Sequence, residues 1–170
     1  MTIRDEIKRV IRNNHLGDWL ADYPWLVGYI GYPSASIWFI GENPSLRGVK
    51  VVDKRSLTRT ENLQWNSHDG DRLLREAITE AGLKAGPPEA EGGWRCYITN
   101  AIKEPEIVAI RNEKKRDSQY WKVQAERWFP VLQRQIDSGN PKVLVALGGQ
   151  AFKIISYMRK LGLQYPRLEK

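Results

Sequence analysis

Three short apolar runs each open onto polar residues. SIWFIG (36–41) opens onto Glu42-Asn43-Pro44, CYITNAI (96–102) contains Thr99-Asn100 near its end, and KVLVALG (142–148) opens onto Gly149-Gln150. A carboxylate next to an amide is a chemically useful pair. Asn43 can hold a water through its amide oxygen or present its amide to a ligand. Glycine at 41 lets the backbone turn sharply and Pro44 fixes the φ of its own position, so Glu42 and Asn43 project above whatever lies behind them. The bland alternative is a turn in which Asn43 bonds its own backbone. Asn100 has the same two readings, a ligand-reading amide or a cap on a strand end.

The elements around these residues must bring them together. Ile3, Ile7, Val10 and Ile11 follow helical spacing, with Thr2 placed to cap and Asp5 three residues on. The aromatic stretch 15–36, broken by Gly and Pro, reads as a short helix and a loop over the core. SIWFIG has the length and apolarity of a buried strand. Residues 46–68 are polar and basic, and a loop of that length is usually functional or mobile. Asp69 or Asp71 then caps a helix whose apolar face is Leu73, Leu74, Ala77, Ile78 and Ala81, and which ends at Gly82. GPPEAEGG (86–93) reads as a surface linker, and a basic loop, EIVAIRNEKKRD, follows the second strand. A helix is expected over 118–138, with Trp121, Ala125, Trp128, Phe129, Leu132 and Ile136 on one face and a kink or break at Pro130. After the third strand, GQAFKIISYMRKLG forms a helix with Ala151, Phe152, Ile155, Met158 and Leu161 inward.

Strands alternating with helices predict an α/β fold: three layers, α/β/α, with a central, mostly parallel sheet of about four strands. In such sheets ligands bind outside the carboxyl ends of the strands. All three polar clusters fall at that end, so together they define one rim.

The bulk numbers set further bounds. The chain has 170 residues, 41% hydrophobic and 28% charged, consistent with a single domain over 1–170. No apolar run approaches the roughly 20 residues of a membrane span, and the charged MTIRDEIKRV start does not read as a signal peptide. The expectation is a cytoplasmic protein, and a monomer. Cys96 is the only cysteine and His15 and His68 the only histidines. That composition excludes an intramolecular disulfide and a single-chain Cys₄ site, and points to no metal. A net charge of +7 suits a polyanionic partner, because basic side chains release the counterions condensed on nucleic acid.

GENPS at 41–45 resembles the element that follows the first strand in the uracil-DNA glycosylase superfamily: Gly-x-Asn-Pro-Gly, Gly-Gln-Asp-Pro-Tyr or Gly-Glu-Ala-Pro-Gly. Asn43 and Pro44 are similar to the mismatch-specific branch, where the Asn orients the attacking water. Glu42 is similar to the thermostable iron–sulfur branch, where the Glu matters. CYITNAIK resembles the family's second-strand element, whose Asn reads the Watson–Crick edge of a flipped pyrimidine; Asn100 stands at that position. An amide suits the task, since its donor and acceptor can pair with uracil O4 and N3–H together. VLVALGGQAF looks like the third strand and following helix, a structural element. QWNSHDGDRLLREAI resembles a loop whose aromatic stacks on the base. If Gly70 is the matched glycine, with one extra residue before Leu73-Leu74, Trp65 takes that role. The alternative is a Trp that tucks the loop onto the core. His68 is a candidate for stabilising the leaving base, set against the commoner case of a surface-loop histidine.

The resemblance covers about 37–155 and implies a DNA glycosylase that flips its base and needs no cofactor. Its partner would be DNA, double- or single-stranded, carrying a damaged base. Gly41 and the amides up to Ser45 would help bind the base. Arg47, Lys50, Lys54, Arg55 and Arg59 would contact phosphate, as would Arg111, Lys114, Lys115 and Arg116; either run also reads as a solvated face. Two departures stand out. The iron–sulfur branch needs four cysteines, and here Lys103-Glu104-Pro105 occupies the place of its Lys-Cys-Arg-Pro-Pro. The family's final His-Pro-Ser or Asn-Pro-Ser segment follows a fourth strand, and GLQYPRLEK lies about where that strand should begin. The expectation is a C-terminally truncated domain, or one whose leaving-group apparatus is absent or supplied differently. A non-catalytic member that binds nucleic acid or damaged bases is the alternative. Unrelated α/β chemistry finds no support in a Gly-x-Gly-x-x-Gly, Walker or Gly-x-Ser-x-Gly motif.

Overall fold

The computed structural model describes residues 3–14, 30–44, 69–88, 90, 92–104 and 119–170. In chain order its elements are α1 (Ile3–Asn13), β1 (Ile30–Gly31), β2 (Ile37–Gly41), α2 (Asp69–Glu80), β3 (Tyr97–Asn100), α3 (Tyr120–Gly139), β4 (Val143–Ala146), α4 (Gly149–Lys160) and β5 (Leu168–Glu169). The strands form one sheet in the order β1-β3-β2-β4-β5. β2 pairs in parallel with β3 on one side and β4 on the other, and β5 continues the parallel set beside β4. β1 alone is antiparallel, against β3.

Alternation along the strands divides the core into two layers. Trp38 and Ile40 of β2, Tyr97 of β3, and Leu144 and Ala146 of β4 face one side. There they pack with Ile7, Val10 and Ile11 of α1, with Ala125, Trp128, Val131, Leu132 and Ile136 of α3, and with Ala151, Ile154, Ile155 and Met158 of α4. Trp38 anchors this layer: it is fully buried, meets the Tyr97 ring edge-on at 4.7 Å, and donates from Nε1 to the Pro33 carbonyl at 3.0 Å. The opposite layer is smaller. Ile78 of α2 joins Ile30, Trp94, Cys96 and Ile98, with Phe39, Leu74 and Leu83 packed against them.

This division follows the connections. The chain runs from β2 to β3 through α2 on the smaller face. It then crosses back over β2 to β4 through α3 on the larger face, and moves outward to β5 through α4 on that same face. Direction and face reverse together, as a single crossover hand requires. β2 is thus the strand whose outgoing connection leaves to the opposite face from those of both neighbours. Open α/β sheets hold their ligands at such a place.

Several expectations change in detail. The parallel set has the four strands foreseen, and the short antiparallel β1 is an addition from the segment read as helix and loop. Residues 168–169 already form the fourth parallel strand expected only to begin near there. α3 runs unbroken through Pro130; the ring removes one backbone donor, but the buried face on either side holds the helix. Of the expected apolar face of α2, Ile78 is buried and Leu74 half-buried, while Leu73 is 56% exposed, because the smaller layer covers one narrow stripe. Gly82 ends α2 with φ +71°, donating to Thr79 O as Leu83 donates to Ile78 O, a Schellman closure. On α4 the inward set includes Ile154, and Leu161 lies outside at 38% exposure. The linker at 86–93 is the loop of a clasp: Ala85 N donates to Gly93 O and Arg95 N to Leu83 O, which fixes Trp94 beneath it.

Candidate active site at the carboxyl rim of the sheet

Parallel register sets Gly41 beside Asn100 at the carboxyl ends of β2 and β3. Both residues share the smaller face, in phase with Phe39 and Ile98. A Cβ on Gly41 would stand 2.5 Å from Asn100 Oδ1, closer than any packed pair allows. The missing side chain at 41 therefore makes the seat of the Asn100 amide. This is a steric requirement, since Gly41 carries no positive φ.

Pairing continues beyond the strands. Ala101 N donates to Gly41 O at 2.9 Å and Ile102 N to Glu42 O at 2.9 Å. On the other side Leu147 N donates to Ile40 O at 2.9 Å. The exit of β2 is thus held from both flanks, and the turn at 100–104 forms one hydrogen-bonded unit with Gly41-Glu42. Glu42, Asn43, Pro44 and Asn100 are all half-buried, so their side chains remain within reach of a ligand. At the third strand Gly148 turns with φ +92° and opens α4. Among the described residues, no neighbour lies within 4 Å of where side chains at 148 and 149 would begin.

The structure therefore brings Gly41, Glu42, Asn43 and Asn100 together. Trp65, His68, Arg47, Lys50, Lys54, Arg55, Arg59, Arg111, Lys114, Lys115 and Arg116 lie outside the described residues. Cys96 is buried at the amino end of β3, away from the rim, and burial pushes its thiol up to about 11. One cysteine so placed does not fit the four-cysteine cluster of the iron–sulfur branch. Among the described residues, no group of His, Cys, Asp and Glu could hold a metal ion, and no helix is long and apolar enough to cross a membrane.

One residue at the rim was not singled out from sequence. Lys103 is fully buried, and its Nζ donates to Thr99 Oγ1 at 2.8 Å and to the Asn100 carbonyl at 2.5 Å. Burial lowers its pKa from 10.5 to about 7. Next to it Glu104 is drawn away by Arg127 of α3, at 3.1 Å. The signal was present as the Lys that closes CYITNAIK, but a lysine in a surface turn is ordinarily solvated.

Comparison with curated proteins finds no match. A family model described as the uracil DNA glycosylase superfamily matches residues 27–168, which takes in the sheet up to the first residue of β5 and every residue of the rim. The chain belongs to the uracil DNA glycosylase superfamily.

Proposed function

We propose that the protein is a DNA glycosylase that hydrolyses the N-glycosidic bond of uracil or another deaminated base. The observation that carries this reading is the seating of the Asn100 amide on Gly41, one residue before Glu42-Asn43. A base-reading amide and a water-positioning amide are then held on adjacent strands of one rim.

A stacked base hides its glycosidic bond, so the nucleotide must leave the helix. Asn100 reads the edge of the flipped base, and Trp65 stacks on its face. Asn43, with Glu42 beside it, orients a water below C1′. The C1′–N bond breaks with oxocarbenium character at the sugar, and the bonding electrons leave with the base. The water oxygen bonds to C1′ and gives up its proton, and the base anion takes up a proton after departure. Donors aimed at the departing anion lower the barrier, a role that backbone N–H groups in the turn after β2 would serve. Lys and Arg of the two basic segments contact phosphates and set register without reading sequence. The net charge of +7 supports a polyanionic partner.

The test incubates excess protein with end-labelled oligonucleotides carrying uracil, hypoxanthine or xanthine, single-stranded and opposite each base. Abasic sites are then cleaved with alkali. Cleavage with the native protein that falls roughly 100-fold or more in Asn43→Ala is expected. Salt-dependent binding without cleavage would replace this reading with a non-catalytic binder of nucleic acid. Neither binding nor cleavage would remove DNA as the substrate.

A further inference from the structure

We propose that Lys103 is a positioning residue for Asn100, holding the end of β3 from the face opposite the base so that the Asn100 amide keeps its seat on Gly41. The proposal rests on the glycosylase reading for its consequence in catalysis, but its structural content stands apart from that reading.

The geometry is specific. Thr99 lies in phase with Tyr97 on the larger face, and Asn100 in phase with Ile98 on the smaller one. Lys103 Nζ donates to the Thr99 side-chain hydroxyl and to the Asn100 backbone carbonyl, so it ties the side chain of one residue to the backbone of the next at the end of β3. The same turn is fastened to β2 through Ala101 N and Ile102 N. Two further features converge there: the Glu104–Arg127 pair ties the next residue to α3, and the bare Gly41 leaves the space that Oδ1 occupies. With its carbonyl and the next two amides all hydrogen-bonded, the backbone that carries the Asn100 side chain is held in place.

Packing alone does not account for a lysine here. Its ammonium is taken wholly out of water, and among the described residues its hydrogen-bond partners are two neutral oxygens, with no carboxylate. A methionine would fill similar volume without that desolvation. Retaining a buried cationic group beside a ligand-reading residue is a pattern of functional sites. The pKa of about 7 is consistent with that burial.

The experiment compares native protein, Lys103→Met, Asn100→Ala and the double variant, by single-turnover cleavage of the uracil oligonucleotide and by the Asn100 side-chain amide resonances in ¹⁵N-labelled protein, assigned by their loss in Asn100→Ala. Lys103→Met is expected to keep the fold and lose about 10-fold in rate, with little further loss when Asn100 is already Ala. Its Asn100 amide pair is expected to shift or broaden. Full additivity with Asn100→Ala, or an unmoved amide pair, would overturn the proposal. Thr99→Val removes one acceptor while keeping the shape, and should move the amide in the same sense if Lys103→Met does not fold. If the native protein cuts nothing while the amide still depends on Lys103, the glycosylase reading falls and the positioning role stands.

Discussion

Among the described residues two lysines are buried, at opposite ends of β3. Lys84, 2% exposed, sits in the clasp that precedes the strand. It donates to the Pro87 carbonyl at 3.1 Å and lies 5.2 Å from the centre of the Trp94 ring. Lys103, 0% exposed, sits in the turn that follows the strand and donates to Thr99 and Asn100. Both look alike by burial. They differ in what they hold: Lys84 closes a loop around its own indole, while Lys103 holds the strand end that carries Asn100, the residue proposed to read the base. Burial of a charged group marks a place where the fold is constrained, and only the neighbour that is constrained tells whether the constraint serves chemistry.

The largest expected effect breaks the rim without touching either lysine. Gly41→Ala sends a Cβ into the end of a flexible side chain, so the Asn100 amide swings away at small cost to the fold. We expect cleavage to fall roughly 100-fold, as for a misplacement of about an ångström, with thermal stability nearly unchanged. The uracil assay and a melting curve on the same sample check this; a coupled loss of both would mean that Gly41 serves packing instead.

Next is the contrast between the lysines. Lys103→Met should lower the cleavage rate about 10-fold, whereas Lys84→Met should leave it unchanged. Equal effects from the two variants would erase the distinction between rim and clasp.

The pH dependence of stability sharpens it further. The folded-state pKa of Lys103 is lowered from 10.5 to about 7, so between these values the unfolded chain binds a proton that the folded chain does not. Stability from this group is absent below about pH 7 and rises with pH above it, by at most about 1.4 kcal/mol per pH unit. Cys96 acts in the opposite sense. Its pKa is raised from 9.0 to about 11, so its contribution is full below pH 9 and is lost as pH climbs through 11. Urea unfolding should therefore show a rise from pH 7 to 9 and a flattening above 9, and Lys103→Met should abolish the rise. The smallest effect belongs to the clasp: Lys84→Met should change stability by no more than about 1 kcal/mol.

Much of the fold was legible because apolar runs ending in polar clusters are local signals. The strands at 37–41, 97–100 and 143–146 and the helices between them follow from hydrophobic period alone. β1 was not legible, since two residues of an aromatic, Gly-rich stretch become a strand only when β3 offers an edge to pair with. The exposed Leu73 and the buried Ile154 have the same cause: period gives an amphipathic stripe, but its width is set by how much of the facing layer exists to cover it. Within the site, Glu42, Asn43 and Asn100 could be chosen from residue type and position behind a strand. Lys103 could not, because a lysine in a turn is ordinarily solvated and nothing local says that its chain folds back under the sheet.

The sequence by itself determined the order of the three central strands and the helices between them, the polar residues at the strand ends and the resemblance that named a chemistry, because each depends on residues within a few positions of one another. Tertiary structure alone decided that Gly41 is the seat of Asn100, that the turn at 100–104 is bonded to the exit of β2, and that Lys103 is dry. Those facts depend on the parallel register of two strands more than fifty residues apart, and register is fixed by burial on both faces of the sheet rather than by any local run of the chain.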